Sequence, residues 1–110
     1  MPLWINAADV VLVTSTHEGW PNIVKEGLAC NVPFVSTNVS DLHRIATVEP
    51  SCQIAEANPT ALADALAKTI SAGRNANLRR HVESMDVGLI AQKYLAIYEE
   101  VCSLPEKVAA

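Results

Sequence analysis

The chain has 110 residues, half of them hydrophobic, enough for one buried core and too few for two ordinary domains. Eight basic residues against twelve acidic ones leave a net charge of −4, so no positive field gathers a phosphate backbone and nucleic acid is not an expected partner. Three cysteines, Cys30, Cys52 and Cys102, are too few and too widely spaced for a disulfide framework or a metal knuckle, and read as buried thiols of a reducing cytoplasm. The opening Met-Pro-Leu-Trp lacks the basic start and apolar stretch of a signal peptide, and no apolar run approaches the ~18 residues of a spanning helix.

In chain order, Leu3, Trp4 and Ala7 have helical spacing, and Asp9 to Thr14 forms a continuous β-branched run that reads as a strand buried on both faces. Ser15 to Trp20 breaks the pattern. From Pro21, suited to a first helical turn, Ile23, Val24, Gly27 and Leu28 recur at helical spacing. Asn31 suits the left-handed residue that closes a helix, and Pro33 to Thr37 is a second strand, completing a βαβ unit. Ser40 to Ala46 reads as a short helix capped by Ser40 or Asp41, and Cys52 to Ala55 as a third strand. Asn58-Pro59 is a cap followed by a first turn, with Leu62, Leu66 and Ile70 on one face until Gly73. A helix is expected from Asn75 to Met85. The last one places Ile90, Tyr94, Ile97, Tyr98 and Val101 on a stripe, read as core or interdomain packing, before Pro105. Strands alternating with helices predict an α/β fold with a short parallel sheet, half of a Rossmann-like domain, whose first strand lacks a neighbour.

Ligands of open parallel sheets bind beyond the carboxyl ends of the strands, which points to the loop from Thr14 to Asn22. Gly19 admits close approach of a ligand, and the amides of Asn22, Ile23 and Val24 at the helix start form an anion site favoured by the helix dipole. Glu18 and Glu26 flank that site and offer acceptors to sugar hydroxyls. On spacing alone the two read more readily as a solvated loop residue and a lysine partner. Trp20 reads as a stacking surface for the donor, as lining of an acceptor cleft, or equally as loop packing. Lys25, His17, His43 and His81 read as solvent-facing side chains.

The runs Ala8-Asp9-Val10-Val11-Leu12-Val13, Glu18-Gly19-Trp20-Pro21-Asn22-Ile23-Val24-Lys25-Glu26-Gly27-Leu28-Ala29-Cys30 and Val32-Pro33-Phe34-Val35 resemble the C-terminal domain of the retaining GT-B glycosyltransferases of family 4, group 1, whose signature is a glutamate, seven residues and a second glutamate. The resemblance implies a single partial donor-binding domain over residues 1–110, with a separate acceptor domain and a basic phosphate-binding pair lying outside this chain. The isolated chain is then expected to be inactive. It implies that Glu18, the catalytic candidate, faces the donor sugar, that Glu26 holds the nucleotide ribose, and that Gly19, Trp20, Asn22 and Ile23 cradle the sugar and diphosphate. The donor would be a nucleotide-sugar such as a UDP- or GDP-sugar, with no metal and no cofactor, and an acceptor the residues do not name. Peripheral membrane association is implied for a full-length enzyme. After the second strand, Ser40, Asp41, His43 and Arg44 replace the family's glycines, proline and glutamate. The rival expectation is a non-catalytic module that forms a homo-oligomer through its exposed strand edge. A nicotinamide-binding reading fails for want of a glycine-rich fingerprint after a strand.

Overall fold

The computed structural model describes residues 2–74 and 77–105. The fold is α/β, a three-stranded parallel sheet flanked by helices, as expected of a partial Rossmann-like domain. Helix α1 (Pro2–Ala7) leads to strand β1 (Val11–Val13), helix α2 (Asn22–Ala29), strand β2 (Phe34–Ser36), helix α3 (Leu42–Val48), strand β3 (Gln53–Ile54) and helix α4 (Pro59–Ala72). Two 3-10 turns, Arg79–His81 and Glu83–Met85, then precede helix α5 (Val87–Ser103). The strands lie in the order β1-β2-β3, with Val11 beside Phe34 and Val35 beside Gln53. No helix of the described residues is long and apolar enough to cross a membrane.

Side chains alternate across the sheet, and the core divides accordingly. Val11, Val13 and Phe34 meet Val24 and Leu28 of α2, joined by Leu42 and Ile45 of α3 and by Leu78 and Val82. Val35, fully buried, belongs to the opposite face, where α4 packs on β2 and β3. That helix buries Ala65 and Thr69, whereas Ile70 of the expected face stays exposed. Small residues on the contact line let α4 approach the sheet closely and leave its larger side chains flanking. Because α4 does not extend over β1, Leu12 is 46% exposed, and β1 is buried on one face instead of two.

Helix ends follow the chain's punctuation. Asn58 caps α4 by accepting from the Ala61 amide at 2.8 Å, and Gly73 ends it at φ 75°. Asn31 closes α2 at φ 58°, and its side chain accepts from the Arg79 amide at 3.0 Å. Arg74 donates to the carbonyls of Asn6 and Cys30, at the ends of α1 and α2, and to the side chain of Asn6. Cations suit helix C-termini, where unpaired carbonyls concentrate negative charge.

Several expectations are corrected. Helix α3 starts two residues later than Ser40, because Ser40 sits at φ 52° and the Asp41 carboxylate, in the cap position, is taken by Trp20 instead of by a helix amide. The single helix expected for residues 75–85 gives way, from residue 77 on, to the two 3-10 turns; residues 75 and 76 lie outside the described residues. The Arg79 amide bonds Asn31, and Arg80 and His81 both reach the Glu49 carboxylate, so tertiary partners override the helical spacing of Leu78 and Val82. His81 is therefore not a free surface group. Lastly, the α5 stripe is no part of this core, since α5 buries no residue. Of the cysteines only Cys52 is buried; Cys30 is half-buried and Cys102 exposed.

Two predictions follow from the packing. A methyl group at Gly27 would meet Val11 Cγ2 at 2.9 Å, a β-branched side chain fixed in a strand, so it has little room to yield. Overpacking costs about 1–3 kcal/mol against the ~1 kcal/mol of helix propensity that alanine gains, so Gly27→Ala should lower stability in chemical denaturation. Burial of Glu49 disfavours its charge, yet hydrogen bonds from His81 and Arg80 outweigh this and hold the carboxyl below its ordinary range. A depressed carboxyl contributes stability above its unfolded value and loses it as pH falls through the folded one. Glu49→Gln should therefore cost about 1–3 kcal/mol at neutral pH. The gap to the parent should close below about pH 4, measured by urea titration across pH.

Candidate functional site

The loop between β1 and α2 lies beyond the carboxyl end of the sheet, tied to its neighbours by polar side chains. Thr37, the residue after β2, donates from its hydroxyl to the Ser15 carbonyl at 2.5 Å, and its amide reaches the Val13 carbonyl at 3.1 Å. The Ser15 hydroxyl donates to Glu18 Oε1 at 2.8 Å. The Trp20 indole N–H donates to Asp41 Oδ1 at 2.8 Å, joining this loop to the one before α3, and Lys25 Nζ lies 5.7 Å from the centre of the Trp20 ring. A methyl group at Gly19 would meet nothing within 4 Å, so packing inside the chain does not demand glycine there.

Helix α2 starts at Asn22, with Pro21 in the cap position at φ −60°, one place earlier than a first-turn proline. Proline offers no side-chain acceptor, and no side chain caps the helix. The Pro21 carbonyl accepts from the amides of Val24 at 3.1 Å and Lys25 at 3.2 Å. Val24 is thereby removed from the expected set of free donors. The amides of Asn22 and Ile23 donate to no acceptor among the described residues, and the first turn carries no acidic side chain. Two orphan donors and the positive end of the helix dipole thus face outward beside the end of β1. The Ile23 side chain packs partly against the core.

Glu18 and Glu26 are both exposed. Glu18 belongs to the loop and is oriented by Ser15. Glu26, in the second turn of α2, opens into a cleft of about 400 Å³ between α2 and the 3-10 turns, walled by Lys25, Arg79, Val82, Met85 and Asp86. Lys25 leans over Trp20, and Glu26 forms no ion pair among the described residues. Along the chain the helix start lies between the two carboxylates, but the cleft belongs to Glu26 and does not include Glu18. Arg79 and Met85 are wall residues that the sequence did not single out; they lie more than fifty residues from Glu26, and no local pattern marks them. A smaller cleft of about 320 Å³ lies beyond the ends of β1 and β2, lined by Thr14, Thr37, Asn58 and Leu62. Asn58 was legible there only as a helix cap. Elsewhere Cys52, its thiol pushed up by burial, is an inert core group. Among the described residues no three His, Cys, Asp or Glu side chains gather as a metal cage would require.

In Rossmann-like folds ligands bind beyond the carboxyl ends of the strands, which is where this chain carries its unengaged helix start. The family model described as glycosyl transferases group 1 matches residues 1–72, from α1 through α4 and the entire sheet, and the chain belongs to that family. No curated protein and no solved structure gives a match.

The tie between the two loops is testable. Trp20→Phe and Asp41→Ala should each cost about 0.5–1.5 kcal/mol, and the double variant no more than the larger of the two plus a few tenths, because both remove one hydrogen bond. Full additivity in a double-mutant cycle would show that the bond contributes nothing.

Proposed function

We propose that the chain is the donor-binding part of a retaining GT-B glycosyltransferase of family 4, taking a nucleoside diphosphate sugar at the start of α2. The observation that carries this reading is the pair of unengaged amides, Asn22 and Ile23, at a helix start between two exposed carboxylates. Amides and the helix dipole suit the diphosphate, and carboxylates suit hydroxyls. Glu26 would hold the ribose diol in its cleft, and Glu18, oriented by Ser15, the hydroxyls of the sugar. Gly19 would let the sugar approach the backbone, and Trp20, fixed by Asp41, would wall the site. As the glycosidic bond to the diphosphate breaks, negative charge grows on the leaving oxygen, and the helix start supplies fixed positive charge there. The departing phosphate would accept the acceptor's proton on the face it leaves, which retains configuration without a metal. A cytoplasmic setting agrees with such donors.

A second reading rests on the edge of β1. Its outer side has no strand neighbour among the described residues, and Leu12 lies beside Trp4, which is 80% exposed, along a shallow apolar groove. On this reading the unit docks or self-associates through that edge and binds no donor.

Isotopically labelled chain titrated with UDP, GDP and ADP separates the two. The donor reading expects amide shifts confined to Gly19 and Asn22 to Lys25, strongest for one base, and reduced at least about tenfold in apparent affinity by Glu26→Ala. Shifts that spread over the surface, or that survive Glu26→Ala unchanged, would sink the assignment of Glu26.

A further inference from the structure

The wall opposite Glu26, with Arg79, Val82 and Met85, belongs to the connection between α4 and α5. That connection is built of two 3-10 turns, whose hydrogen-bond geometry is poor and whose placement therefore comes from outside them. Leu78 and Val82 enter the core, and the Arg79 amide donates to Asn31 Oδ1 at 3.0 Å. Arg80 and His81 both donate to Glu49 Oε1, His81 from Nε2 at 2.7 Å.

The two polar anchors refer the wall to different parts of the fold. Asn31 is the residue that closes α2, so its bond to Arg79 ties the wall to the helix that carries Glu26. Glu49 ties it to the corner between α3 and β3. The Glu49 amide donates to the Ile45 carbonyl at 2.9 Å, and its carbonyl accepts from the amide of buried Cys52 at 3.0 Å, so its backbone is fixed from both sides. Its side chain is buried, and Arg80 and His81 are its partners. Between these anchors Arg79 has its amide held and its next two neighbours clamped, while its guanidinium forms no ion pair among the described residues.

We infer that Glu49 is a positioning residue for the ligand of the Glu26 cleft: it touches no ligand, and by clamping Arg80 and His81 it sets where Arg79, Val82 and Met85 stand opposite Glu26. The inference rests on the donor reading above, in which Glu26 takes the ribose diol. A cleft of about 400 Å³ is small for a ligand site, so a wall displaced by about 1 Å can no longer make its contacts together with Glu26. Removing the carboxylate leaves Arg80, whose side chain is 54% exposed, free to turn to water, so the core survives while the wall loses its tie.

The test titrates the isotopically labelled parent chain and four variants, Glu49→Ala, Glu49→Gln, Arg80→Ala and Ala65→Gly, with UDP, GDP and ADP at neutral pH. Ala65 is buried where α4 meets the opposite face of the sheet, and glycine there lowers helix stability without touching the cleft. For the nucleotide that the parent binds best, Glu49→Ala should weaken affinity at least about fivefold. Glu49→Gln keeps an acceptor for one N–H and should fall between that variant and the parent. Arg80→Ala, which removes only the exposed arm of the clamp, should weaken binding in the same direction, and Ala65→Gly should match the parent. Before any nucleotide is added, Glu49→Ala should already move the amide signals of Arg79, Val82 and Met85 and leave that of Gly19 in place. Parental affinity in Glu49→Ala and Arg80→Ala, or an equal loss in Ala65→Gly, overturns the inference and leaves the donor reading, which Glu26→Ala tests separately. A parent chain that binds none of the three nucleotides overturns both.

Discussion

The structure depends on how closely α2 lies on β1. Gly27 faces Val11 with no room for one added carbon, and only that closeness lets Val24, one turn earlier, and Leu28, the next residue, reach Val13 and Phe34. The turn after the helix enforces the same geometry, with the Asn31 backbone left-handed and the Val32 amide returning to the Gly27 carbonyl at 2.8 Å. A helix held this tightly at its C-terminal half has its N-terminus aimed beyond the end of β1. The unengaged amides of Asn22 and Ile23 are placed by core packing, and the loop need not order them.

Local grammar was the legible part. Asn58-Pro59, Gly73 and Asn31 announce their roles through properties of one or two residues, and the structure uses each as expected. The βαβ unit was equally plain, since β-branched runs and helical spacing alternate from Asp9 to Thr37. What failed was whatever depended on partners far along the chain. Leu12 looks like any residue of a buried strand until the width of the layer above it is known. Leu78 and Val82 have helical spacing, yet Asn31 and Glu49, more than thirty residues earlier, hold their segment in 3-10 turns.

The same limit shaped the reading of the site. The loop, the helix start and both glutamates could be named from sequence because they are contiguous. The Glu26 cleft could not, because its far wall is Arg79, Val82 and Met85. Pro21 shows the effect at the smallest scale. With Pro21 in the first turn, Val24 would stand fourth and donate to the cap carbonyl, and with Pro21 as the cap the Pro21 carbonyl takes the same amide, so two orphan donors stand where three were counted.

Arg74 joins the carbonyl ends of α1 and α2 across forty to seventy positions of the chain. During synthesis α1 emerges before Arg74 and lacks this tether until that residue follows, a delay of roughly three to fourteen seconds at ordinary elongation rates. For that interval Ile5, buried once α1 is held in place, is free to meet any apolar surface nearby, and chaperone contact with the nascent chain would concentrate there.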